Sequence, residues 1–200
     1  MRQALRTRSY WILLAATVLR ITLWGAISLH AVEMMVWKGM PRETAGFMFS
    51  LMFLLSIPLR LGVGILGDRF PLQPLMFGGM VSAAMAVLAM LLIEGNGEIY
   101  LFIILMALEQ GGSTLNWVAL GNFFGRANFG TLMGIISTCF KVGMLASPIY
   151  AGWLFDRTGS YTWVLFTFLP MYLLSAVLFL VVKKPAIPGR APSVAVERVT

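Results

Sequence analysis

Arg20, Arg60, Glu109 and Lys141 each stand in a stretch of otherwise largely apolar side chains, three cations against one anion. Residues 44–59 are apolar except for Thr44, Ser50 and Ser56, so Arg60 lies about two helical turns before the polar exit at Asp68 and Arg69. An arginine at such depth costs roughly 2.5–3.5 kcal/mol on insertion scales. A chain keeps one where it faces a bundle interior, a partner or a water-filled cavity. The plainer alternative is that Arg60 snorkels to nearby headgroups. If Glu109 neutralises one cation, two stay uncompensated, and a bound carboxylate or dicarboxylate would complete the site, held bidentately in the case of arginine. Arg60, Lys141 and Arg20 are therefore the candidate anion contacts. Helix-packing ion pairs are the competing reading. Glu109 is a candidate either for carrying a coupling proton or for holding helices together by an ion pair.

Glu109 also opens a polar run that reaches Asn116 and Trp117, in which Gln110, Ser113, Thr114 and Trp117 share a face at helical spacing. Such a face needs water or protein beside it. His30 and Glu33 fall near the outer end of an apolar run and read as mouth or solvated residues. Cys139 sits in an apolar run and reads as a small core residue, while the 14 methionines are spread through the spans as packing. There is no HExxH, P-loop or GxSxG pattern, and His30 has no nucleophile at recognisable spacing. No enzyme activity, metal or cofactor is expected.

The elements that must hold these residues are membrane helices. Of the 200 residues 59% are hydrophobic and 12% charged, with a mean hydropathy of +0.85, where soluble domains carry about a quarter charged residues. Six apolar runs are long enough to cross a hydrocarbon layer of roughly 30 Å: about 10–31, 44–66, 74–93, 99–121, 130–153 and 162–182. The expectation is an all-α membrane protein with a basic tail at 1–9, a six-helix bundle over 10–184 and a disordered, Pro-rich cytoplasmic tail at 185–200. Arg2, Arg6 and Arg8 precede the first run as in a signal peptide. That run continues past Arg20 without a cleavage site, and so reads as a span.

The formal charge of +7 gathers at the chain ends and short connections, which argues for membrane topology and against nucleic acid. One side holds Arg2, Arg6, Arg8, Arg69, Arg126, Lys183, Lys184, Arg190 and Arg198, nine in all; the other holds Lys38, Arg42 and Arg157, three. The richer side should be cytoplasmic, with both termini inside. Tyr10, Trp11, Trp37, Tyr100, Trp153, Tyr161 and Trp163 fall near span ends, as an interfacial belt would.

The pattern of Gly64, Leu66, Asp68 and Arg69 recurs 88 residues later as Gly152, Leu154, Asp156 and Arg157. With three spans per unit the second copy is inverted in the membrane, the repeat logic of many secondary transporters. Gly64-x-x-Gly67-Asp68-Arg69 resembles the loop motif of the major facilitator superfamily, G-x-x-x-D-[RK]-x-G-R-[RK], although Pro71, Leu72 and Gln73 stand where that motif ends in glycine and two basic residues. Gly134, Gly143, Ser147, Pro148, Ala151 and Gly152 resemble the glycine-rich helix motif of the same superfamily, with Ser and Ala replacing two glycines; small residues let helices approach closely.

The segments 124–130 and 151–161 look like the C-terminal half of the oxalate/formate antiporter and monocarboxylate transporter group, and the resemblance extends over about 8–184. It implies one half of a major facilitator fold, built as a 3+3 inverted repeat. It also implies alternating-access transport of a small organic anion, by antiport or symport; the short connections and the missing targeting signal favour a bacterial inner (plasma) membrane. Arg60 matches that group's basic residue in helix eight, eight positions before the loop aspartate, and Lys141 resembles its lysine in helix eleven. Gly64, Asp68 and Arg69 would form a gating loop, and Gly134, Gly143, Pro148 and Gly152 a helix-packing motif. The implied partners are the anion, the lipid bilayer and an N-terminal six-helix half, either a separate chain or lost. The alternatives are a non-transporting membrane fragment or accessory subunit, and half of a multidrug-type exporter.

Overall fold

The structure, a computed structural model, describes residues 2–92 and 96–185. They fold into helices alone: a single turn α1 (Arg2–Leu5), then α2 (Arg8–Trp37), α3 (Arg42–Arg69), α4 (Leu72–Leu92), α5 (Asn96–Gly111), α6 (Leu115–Phe124), α7 (Phe129–Thr158) and α8 (Thr162–Val181). Helices are the economical solution for such runs, because lipid offers no partner to a backbone amide and a helix satisfies its own. Breaks come where the sequence withholds helix geometry. Gly39 takes φ 94 before Pro41 caps α3, and Gly159 takes φ 66 beyond α7, its N–H bonding the Phe155 carbonyl at 2.7 Å. The 94–98 connection and the tail from 185 lie partly or wholly outside the described residues.

Five helices among the described residues, α2, α3, α4, α7 with its preceding turn, and α8, are long and apolar enough to cross a membrane. The segment expected as a fourth span is instead two shorter helices, α5 and α6, joined by one 3-10 turn at Gly112–Thr114. Gly111, Gly112, Ser113 and Thr114 explain the break: two glycines and two hydroxyl residues in succession form the weakest helical stretch of that run. Gln110 is consequently buried while Thr114 is exposed, so the polar face expected there is not one continuous helical face.

Packing runs α3, α5, α4, α8, α2, α7 in spatial order, with α2 also touching α3. Leu23, Ile27, Met34, Met80, Val87, Phe102, Met106, Phe168 and Phe179 fill the core. Polar groups tie the helices at defined points: the Tyr10 hydroxyl donates to the Leu132 carbonyl at 3.2 Å, the Ser147 hydroxyl to Thr22 at 2.6 Å and the Ser175 hydroxyl to Ala16 at 3.1 Å.

Burial is uneven. In the most apolar windows of α2, α4 and α8, 44%, 50% and 39% of residues are buried, against 11% in α3 and 17% in the segment containing α7. Cys139 corrects the expectation of a core residue: it lies on the open side of α7 and is exposed. Two residues of the expected aromatic belt are also corrected. Trp11, Tyr100, Trp153 and Trp163 are exposed near helix ends, but Tyr10 and Tyr161 are buried, because each hydroxyl finds a partner inside the bundle.

Candidate functional site

The break between α5 and α6 gathers the buried charge. The chain stays helical through the 3-10 turn, where the Leu115 N–H bonds the Gly112 carbonyl, and two arginines come to carbonyls beside it. Arg20, from α2, donates from Nη1 to the Ser113 carbonyl, and Arg60, from α3, donates from Nε to the Gln110 carbonyl, both at 3.4 Å. A helix C-terminus carries partial negative charge, so it is a favourable place for cations. Arg20 also places Nε 2.7 Å from Glu109 Oε1, an ion pair whose side chains are 8% and 1% exposed. Among the described residues neither Glu109 oxygen accepts a well-directed hydrogen bond. The pair is held by charge and proximity.

Beside this pair is a cavity lined by Arg20, Glu109 and Asn116 together with Met76, Met80 and Phe179. Its volume is about 10 Å³, the lower limit for a single water. Asn116 is 3% exposed, and among the described residues neither its amide oxygen nor its amide nitrogen has a hydrogen-bond partner.

Arg60 and Lys141 lie elsewhere in character. Both are exposed, on the two least buried helices. Among the described residues neither has a carboxylate within ion-pair distance, and Lys141 makes no hydrogen bond. Arg20 is thus separated from them by its burial and its partner, whereas Arg60 belongs to both settings through Gln110.

Position on α7 is fixed by a close crossing with α2. A Cβ on Gly143 would collide with the Thr22 hydroxyl, and one on Gly25 would come 2.9 Å from Met144 Cγ. Of the other expected packing residues, a Cβ on Gly152 would lie 3.7 Å from His30 Cε1, Pro148 lies within α7, and Gly134 faces open space among the described residues. Gly64 has nothing within 4 Å of its Cβ position, and Asp68 and Arg69 are exposed at the end of α3.

Three features escaped the sequence reading. His30 is a junction: Nε2 lies 3.1 Å from the Pro148 carbonyl and Nδ1 3.0 Å from the Tyr161 hydroxyl, joining α2, α7 and the turn before α8. Facing a carbonyl, Nε2 carries the hydrogen, and in the neutral ring Nδ1 accepts from Tyr161. Burial first, then the charges of Glu33 and Asp156, push the Tyr161 hydroxyl up to about 12. Lys38, whose spacing gave no signal, pairs with Glu98 at 3.0 Å, where the carboxylate is 1% exposed. Gly111 meets the backbone of α3.

Comparison with known proteins agrees with this architecture. A family model described as Major Facilitator Superfamily matches residues 7–199. An uncharacterized transporter of Bacillus subtilis (strain 168), YycB, is 30% identical over 149 residues, which is 73% of this chain and 36% of that protein. The chain therefore spans about a third of the length of the relative it matches. With an all-helical fold, five helices apolar enough to span a bilayer and a family match over nearly its whole length, the chain is an integral membrane protein that belongs to the major facilitator superfamily.

Proposed function

We propose that the chain forms one six-helix half of a transporter that moves a small organic anion, a mono- or dicarboxylate, by alternating access. In this reading α5 and α6 together make the fourth crossing, and both termini are cytoplasmic. Two similar triplets, α2–α3–α4 and α5/α6–α7–α8, form the inverted repeat. The recurrence supports it: Asp68-Arg69 stands at the end of α3, and Asp156-Arg157 close to the end of α7, the second helix of each triplet.

One observation carries the anion assignment. Of the three cations set within the apolar helices, the two that among the described residues have no carboxylate partner, Arg60 and Lys141, stand on the two helices the bundle leaves most open, while Arg20 is neutralised inside by Glu109. Facing lipid, each would cost roughly 2.5–3.5 kcal/mol; facing a wet pathway against a second six-helix unit, they can grip a carboxylate. Arg20 then acts through its field and through Ser113 rather than by direct contact, and Glu109 is the candidate proton carrier.

Exchange of radiolabelled oxalate, formate, lactate and pyruvate, measured in membranes of cells expressing the chain and again with Arg60→Gln, tests the reading. Anion exchange that needs Arg60 is the expected result. Efflux of cationic amphiphiles without anion exchange would replace it by the exporter reading.

A further inference from the structure

We infer that Gly111 is a positioning residue for Arg60: carrying no side chain, it lets α3 rest on the last turn of α5, and that contact sets where the guanidinium meets an anion. The inference rests on the reading of Arg60 as an anion contact. A Cβ on Gly111 would lie 2.9 Å from Leu59 Cβ, 3.2 Å from the Leu59 carbonyl carbon and 3.3 Å from its oxygen. Two of those three atoms are backbone, so no rotamer change relieves the clash; α3 itself must move outward. Leu59 immediately precedes Arg60, and Gln110 immediately precedes Gly111, so the contact and the Arg60 Nε to Gln110 carbonyl bond are neighbours in both helices. At 3.4 Å that bond is already long compared with the usual 2.9–3.0 Å, and a displacement of a few tenths of an ångström breaks it.

The bond also selects which edge of the guanidinium remains. With Nε committed to a carbonyl, the two terminal nitrogens are the pair left for a carboxylate, an end-on fork. Freed from Gln110, the long side chain samples other rotamers and the fork loses its fixed direction. Gly112, one residue on, has nothing among the described residues within 4 Å of its Cβ position, and so supplies a matched steric control.

The test measures equilibrium binding of radiolabelled oxalate to the full chain in native membranes, where a second six-helix unit can pair with it. Gly111→Ala should weaken binding about 10-fold or more, the worth of a charged hydrogen bond, whereas Gly112→Ala binds as the unmodified chain does. Adding Leu59→Gly, which removes the nearest atom, should restore part of the loss. A purely structural role would lower the melting temperature without that recovery of affinity. If Gly111→Ala does not assemble, Leu59→Gly chains carrying glycine, alanine or valine at 111 take its place, and affinity should fall with side-chain size. Oxalate affinity equal in Gly111→Ala and Gly112→Ala, with Arg60→Gln not binding, overturns this inference and leaves the anion site standing. No oxalate binding by the unmodified chain, or undiminished binding by Arg60→Gln, overturns both.

Discussion

Arg20 Nε and Glu109 Oε1 meet at 2.7 Å in the interior of the bundle, joining the first long helix to the last turn of α5 just before its break. Each charge is costly to bury, and each is tolerable because the other is there. Arg20 additionally donates to the Ser113 carbonyl in the 3-10 turn. Charge pairing and helix interruption are therefore one local arrangement.

Removing one member should be worse than removing both. Glu109→Gln or Arg20→Met alone should each destabilise by about 3–5 kcal/mol, and the double substitution should recover most of that. A double-mutant cycle on thermal melting in detergent measures the coupling. Additive single effects would mean that the two charges are solvated independently.

Much of the architecture was legible because it rests on long-range averages. Twenty apolar residues announce a helix whatever their order, and Asp68, Arg69, Asp156 and Arg157 mark the ends of α3 and α7 by being unable to enter lipid. The break at Gly112–Thr114 was hidden by the same averaging, since the strongly apolar residues on both sides outweigh four weak helix formers. The four intramembrane charges were visible as types, but their division was not. That Glu109 takes Arg20 and leaves Arg60 and Lys141 open depends on which helix faces which, a tertiary fact absent from local spacing. The partners of His30 were hidden for the same reason, because Pro148 and Tyr161 lie more than a hundred residues away.

Gly143→Ala should push α7 away from α2, because its Cβ would collide with the Thr22 hydroxyl. Overpacking of this kind costs about 1–3 kcal/mol. Thr22→Ala should relieve part of it at little cost of its own, since that hydroxyl is buried without a partner. Gly134→Ala, with open space around it, should be neutral or slightly stabilising. Equal melting temperatures for the alanine variants at 134 and 143 would remove the crossing from the account.

Lys141→Arg should lower anion exchange more than conservation of charge suggests. A planar fork and a compact ammonium group demand different distances from the same carboxylate, and the Gly143 crossing fixes the backbone two residues away. Exchange assays on the two chains decide it; equal rates would mean that only the field matters.

Alkaline conditions should loosen the His30 junction. Tyr161 has its ionisation pushed from 10.0 up to about 12, so between those values the unfolded chain has lost a proton that the folded chain keeps. The folded state then binds more protons, and stability falls as pH rises through this window. The contribution is fully present below pH 10. Melting curves across it should show a steeper decline for the unmodified chain than for Tyr161→Phe, which has no such proton to hold. Parallel declines would assign the alkaline loss to other groups.

The open faces of α3 and α7 should meet protein of a different sequence. Leu61 and Leu145, one residue from Arg60 and four from Lys141, are 68% and 71% exposed, which lipid alone would accept. The neighbouring cations are what lipid would not accept. A second copy of this chain related by a two-fold axis along the membrane normal would bring two arginines and two lysines around one pathway. A single monocarboxylate leaves most of that charge uncompensated in low dielectric. A partner that contributes a different wall avoids the repulsion. Leu61→Cys and Leu145→Cys, each in a Cys139→Ser chain, should therefore crosslink poorly to themselves in native membranes and efficiently to another six-helix polypeptide where one is present. Strong self-crosslinking accompanied by anion exchange from the purified single chain would establish the symmetric pair instead, and would require either a multiply charged anion or additional counter-charge between the four cations.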